Sequence, residues 1–163
     1  MRESIGGTWL LGIVMVFMMI FIAFVSISIN YSKAFKLKSS MVTIVEEYQG
    51  VNAETIKKLN KEISANGYVN KGNCANNKFD GYISVLDGVA TPNGTGKQNY
   101  CIYREYKQSD KNGENRYYYT VSVFFNISLP ILGDIFTFRV SGETNPVYET
   151  VKAKNELFDI HRL

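Results

Sequence analysis

From Ile5 to Ile29 no position carries a charge: 25 consecutive residues pass without an Asp, Glu, Lys, Arg or His. A helix of that length rises about 37 Å, and about 20 apolar residues are enough to cross the hydrocarbon of a bilayer. The pattern predicts a membrane-spanning helix over 5–29 behind a head of residues 1–4, with Trp9 at a depth that suits the interfacial belt. A cleavable signal peptide has a shorter apolar run and a stronger basic region than Met1 and Arg2, and no small-x-small pattern clearly closes this one. A core helix of a soluble protein rarely stays uncharged for so long. A retained anchor is the expectation.

Beyond Asn30 the pattern changes from apolar all round to apolar on one side. No Pro or Gly occurs from Asn30 to Gln49, and Ala34, Leu37, Met41, Ile44 and Tyr48 recur at alternating steps of three and four. The helix is therefore expected to continue over 30–49 as an amphipathic segment that Gly50 ends. Residues 4–49 then form one rod of about 69 Å. Its stripe must be covered, by the chain's own domain or by another subunit. Near the start, Glu3 suits the positive end of the helix dipole and Ser4 its cap. Gly6, Gly7 and Gly12 let helices approach closely, although the Gly-x-x-x-Gly spacing is absent.

The remainder, 50–163, has the size of one small domain. Asn52 is a candidate N-cap for a short helix with Ile56, Leu59 and Ile63 on one face and Gly67 as its stop. Periods of two then replace periods of three and four. Phe79 to Leu86 and Tyr100 to Lys107 read as strands, the latter with two mixed faces, and Asn112-Gly113 is a hairpin signal. Tyr117 to Ile127 is apolar at every odd position, which predicts one buried and one wetter face. Phe136, Phe138 and Val140 face together on a returning strand over 135–140. Tyr68 to Asn77 and Asp87 to Gln98 read as loops, and the tail could start as an edge strand at Val147. The fold class expected is α+β, a long N-terminal helix packed on a small antiparallel sheet of three or four strands.

Charge changes this picture only near the membrane. The 18 basic and 15 acidic residues are mixed along the remainder without a run of like charge, which gives no case for nucleic acid. Beside the apolar run, Arg2 and the amino terminus stand against Lys33, Lys36 and Lys38, and the positive-inside rule then points to a cytoplasmic domain. The two cysteines, Cys74 and Cys101, point the other way. An even count in a membrane-attached domain fits one disulfide outside the cytoplasm, two unrelated thiols being the alternative. We take the extracytoplasmic arrangement as the expectation. Closing 27 residues, the bridge stabilises by about 3–4 kcal/mol.

Candidate chemistry is sparse. His161, the single histidine, is third from the end, and no nucleophile elbow, phosphate loop or zinc-type spacing is present. Asp80, Asp87, Asp110 and Asp134 sit near turns, where Asp is favoured for local hydrogen bonding and only weakly suggests calcium. The expectation is no enzyme, no cofactor and no metal. Eleven tyrosines occur, with Tyr100, Tyr103, Tyr106, Tyr117, Tyr118 and Tyr119 on the strands around Asn112-Gly113. Cross-strand pairing explains them as sheet stabilisation; exposed, Tyr103, Tyr106 and Tyr118 would form a candidate contact surface.

This layout resembles type IV pilin-like proteins, and among them the small TadE-like pilins of tight-adherence systems. A minimal head leads into a helix whose first half is apolar and whose second half is striped, and a strand-rich domain follows. The resemblance implies a helix held in the membrane or the filament core, a sheet domain displayed outside, and partners that are membrane lipid and other pilin-like subunits met through the helix. It implies that an acid near the amino terminus registers each subunit against its neighbour, for which Glu3 is the candidate. The family's processing pattern is not matched, because the fifth residue after Gly6 is Leu11. The function expected is a structural subunit of a surface filament or secretion apparatus. A stand-alone single-pass protein with an external ligand- or partner-binding domain is the alternative.

Overall fold

The computed structural model describes residues 2–67, 70–74, 82–107, 116–129 and 133–148. Asn112-Gly113, Asp80, Asp110 and His161 lie outside them, as do the side chains of Glu3, Tyr106 and Asp134 and the surroundings of Gly6. Helix α1 spans Arg2–Glu47, 46 residues. It ends slightly before the expected stop. Gln49 takes the left-handed conformation with φ 53°, and Gly50, the expected stop, follows it at φ 130°. The Gln49 amide donates to the Glu46 carbonyl and the Gly50 amide to the Val45 carbonyl, the paired bonds of a Schellman ending.

Helix α2, Ala53–Asn66, follows at once. Asn52 caps it, its side chain accepting from the Thr55 amide while the Thr55 hydroxyl accepts from the Asn52 amide, and Gly67 closes it at φ 60°. Thr55 is fully buried, and its hydroxyl also donates to the Gly50 carbonyl at 2.9 Å. One side chain thus fixes the turn between the helices. Ile56 and Leu59 are buried, with Ile63 partly so, as the spacing predicts.

Eight strands follow among the described residues: β1 Gly72–Asn73, β2 Tyr82–Leu86, β3 Val89–Pro92, β4 Lys97–Gln98, β5 Tyr100–Lys107, β6 Arg116–Leu129, β7 Gly133–Glu143 and β8 Val147–Tyr148. The main sheet has the order β3-β2-β5-β6-β7, with β8 also paired to β6, and all its pairs are antiparallel. The long β6–β7 hairpin runs from Thr120 opposite Glu143 to Leu129 opposite Gly133, with a register shift at Ile127/Ser128. Strands β1 and β4 make a separate two-stranded sheet.

The sheet exceeds the expected size in part because the stretch Asp87 to Gln98, expected as a loop, contains β3, with the turn residues Asn93 and Gly96 after it. Asp87 and Gly88, at φ 48° and 88°, form a two-residue turn that sets Val89 opposite Leu86. Two successive positive φ values match the twist of a tight hairpin, and Asp-Gly is a dipeptide that adopts them readily. Tyr68 to Asn77 likewise contains β1.

Two cores result, one on each face of the sheet. On the first, Ala34, Leu37, Met41, Ile44 and Val45 of α1 meet Tyr119, Val121, Val123 and Phe125 of β6, with Ile83, Val85, Tyr100 and Ile102 beyond them. Gly142 on β7 permits the close approach, since a Cβ there would stand 2.3 Å from the Lys38 Cδ and 3.1 Å from Val42. On the second face, Cys74, Cys101, Tyr103 and Phe124 are buried together. The wetter face expected of β6 is thus covered in part, because β1 crosses it: Gly72 lies so close to the Phe124 ring that a Cβ would clash. Burial of Tyr100, Cys101, Ile102 and Tyr103 on both sides accounts for the mixed faces at the start of β5.

Candidate membrane-anchor and assembly surface

Helix α1 divides sharply along its length. It is long and apolar enough to cross a membrane, and none of its most apolar 18 residues is buried against the rest of the chain. Trp9 is 74% exposed, and a Cβ added at Gly7 or Gly12 would meet nothing within 4 Å. From Ala34 onward the stripe turns inward. Ala34, Leu37, Met41 and Ile44 are buried, and Tyr48 packs partly buried at the edge of the same core. Of the two covers the sequence allows for the stripe, the chain's own sheet is the one found. Two polar ties reinforce this seam: the Ser40 hydroxyl donates to Glu62 of α2, and Glu46 accepts from the Asn145 amide just past β7.

Where the two halves of α1 meet, aromatic rings gather. Tyr31 lies edge-on to Phe125 at 5.8 Å between centroids, and Phe125 stacks on Phe138 at 5.3 Å. Phe136 adjoins Phe138, and Phe35 adjoins Tyr31 with the Lys38 ammonium 4.1 Å above its ring. Phe125 is buried, whereas Tyr31, Phe35, Phe136 and Phe138 are exposed. Phe136, Phe138 and Val140 do face one way, but only Val140 reaches the core. The period-two pattern reveals which residues share a face and not how far the helix covers it.

Cys74 and Cys101 form a disulfide with their Cα atoms 5.6 Å apart. It anchors the segment after β1 to β5, beneath which Tyr103 donates to the Cys74 carbonyl at 2.6 Å. The Arg139 guanidinium lies 5.8 Å from the ring centroids of both Tyr103 and Phe124 and donates to the Asn73 carbonyl. Burial pushes the Tyr103 phenol up, and the Arg139 charge partly opposes it. Tyr103 is therefore no part of a free contact surface: it is 1% exposed and spent on the second core. Tyr118 is half-buried.

A cleft of about 410 Å³ opens beside α2, lined by Asn60, Ser64, Asp87, Asn99 and Tyr100 among others. Its polar atoms serve the fold. Asn60 donates to the Gly88 carbonyl and accepts from the Tyr100 hydroxyl, Asn99 accepts from the Asp87 amide, and Asp87 pairs with Lys71 at 3.0 Å. Desolvation raises the Tyr100 phenol far above its ordinary range, so it stays a neutral donor. Among the described residues no cluster of His, Cys, Asp or Glu has the make-up of a metal site.

No family model, curated protein or solved structure matches the chain. The architecture therefore rests on the chain itself: a long N-terminal apolar helix on a small antiparallel sheet with one disulfide, consistent with a pilin-like fold. The aromatic junction was the feature hardest to anticipate. Its members come from α1, β6 and β7, and only the alignment of Phe136 with Phe138 gave a signal.

Proposed function

We propose that the chain is a membrane-anchored, pilin-like structural subunit that assembles through α1 into a surface filament, or at the base of a filament or secretion apparatus. The split of α1 carries this reading. Its stripe is used on the chain's own sheet, while from Gly7 to Ile29 no residue is buried and most are exposed. Such a surface is stable in lipid or against other apolar helices, and Gly7 and Gly12 leave room for close approach. A subunit that is stored in a membrane and then packed in a filament needs both environments. Partners are membrane lipid and other pilin-like subunits met through the helix, with Glu3 registering one subunit against the next. The disulfide supports an extracytoplasmic domain, since such bridges persist in oxidising compartments. The subunit works by assembly and catalyses no reaction.

Shearing intact cells and reading the amino terminus of the released protein by mass spectrometry tests this. Recovery in the filament fraction with Glu3 retained is the expected result. A stand-alone single-pass protein with an external binding domain is the second reading, favoured by the unmatched processing pattern around Gly6 and Leu11. Complete retention in the membrane, with no filament that contains the chain, would move the assignment there.

A further inference from the structure

We propose that the aromatic end of the sheet, Phe136 and Phe138 of β7 beside Tyr31 and Phe35 of α1, lies in the headgroup layer of the same membrane that α1 crosses. The domain then sits down on the bilayer instead of standing off it on a helical stalk. The inference rests on α1 being a membrane anchor.

Three observations converge on a lipid surface as the occupant. The first is level. Ile29 ends the uncharged run, and Tyr31 and Phe35 follow it by two and six residues, about 3 and 9 Å along the axis. Phe125 touches Tyr31, Phe138 stacks on Phe125 and Phe136 adjoins Phe138, which brings the end of the sheet to the edge of the hydrocarbon. The second is chemistry. β7 is the last strand on the main path of the sheet. Its exposed charges, Arg139 on the opposite face and Glu143 at the far end, leave the end beside Tyr31 to Phe136, 60% exposed, and Phe138, 44% exposed. The third is order. A protein-binding patch is ringed by a polar rim, but along α1 this one is preceded by the exposed apolar residues Phe24, Val25 and Ile29. Lys33 and Lys36, exposed, flank Phe35 along α1, and Lys38, half-buried, holds its ammonium over the same ring. Hydrocarbon, then rings and ammonium groups at one level, is the order of partners met on leaving a bilayer with anionic headgroups.

The full chain reconstituted in phosphatidylcholine–phosphatidylglycerol vesicles provides the test, with acyl chains brominated either near the headgroup or near the tail end. The wild type reports through Trp9 alone. Trp9→Phe combined with Phe136→Trp moves the probe to the sheet, and Trp9→Phe with Val89→Trp moves it to the exposed opposite edge. Phe138→Trp replaces Phe136→Trp if the latter fails to form the disulfide-bonded domain. The Phe136→Trp emission is expected to fall roughly twofold with bromines near the headgroup and less with bromines near the tail, while Val89→Trp stays unchanged. Trp9 quenched but Phe136→Trp unquenched overturns the proposal and leaves the anchor standing. Shielding of that unquenched probe from iodide would assign the rings to a second copy of the chain, and quenching by iodide to water. Equal quenching of Val89→Trp also overturns it, because the contact is then not confined to one end. Trp9 unquenched removes the anchor itself, and this inference with it.

Discussion

Phe17 and Ile20 in the first half of α1 are 67% and 63% exposed, whereas Ala34 and Met41 in the second half are fully buried. The backbone is the same continuous helix. What differs is the arrangement of apolar residues: the first half is apolar around its whole circumference and the second along one stripe. A stripe can be matched by a single sheet, and β6 matches it. A full circumference cannot be matched by one small domain, so it must be satisfied by a surrounding medium or by several neighbours. The local pattern thus decides whether a segment is completed by its own chain or from outside.

The strongest way to break this contrast is to put one charge in each half. Leu37→Asp with Ile44→Asp buries two unpaired carboxylates in the first core and should cost about 4 kcal/mol or more, enough to unfold the domain in denaturant titrations. Ile20→Asp should leave domain stability within about 0.5 kcal/mol, and instead weaken membrane retention by an insertion penalty of about 2.5–3.5 kcal/mol. Equal destabilisation by both would end the distinction. Next in size, Cys74→Ser with Cys101→Ser should lower domain stability by about 3–4 kcal/mol. Hydrogen exchange should then quicken in the second half of α1, which packs on the same sheet, and stay unchanged in the first. The smallest effect is expected at the helix end. Gln49→Gly relieves a left-handed side chain and should stabilise the domain by about 0.5–1 kcal/mol, as read by thermal unfolding.

Much of the layout was legible because its periods are long. The 25-residue uncharged run, the stripe from Ala34 to Tyr48 and the alternation from Tyr117 to Ile127 each repeat a signal often enough to overrule local noise. The Asn52 cap and the Gly67 stop were readable from residue type alone. Shorter elements were not. β3 has four residues, and the weight given to Pro92, Asn93 and Gly94 as turn formers hid the Asp87-Gly88 hairpin beside them. β1 and β4 have two residues each and carry no period at all. The second core was hidden for a different reason. Tyr103 and Phe124 are buried by a segment distant in sequence, and alternation along one strand cannot reveal what crosses its outer face. Tyr103 therefore looked available for contact when it was already engaged.

The disulfide has a mechanical meaning as well as a thermodynamic one. On the proposed function, a subunit held by α1 at one end and loaded through its domain is a chain under tension. Cys74 and Cys101 are 27 positions apart in sequence but their Cα atoms are 5.6 Å apart. When the sheet is pulled open, that stretch cannot lengthen, which withholds about 90 Å of contour from the extended chain. Only reduction of the bond releases it, so a loaded subunit yields over a shorter distance in oxidising surroundings than in reducing ones.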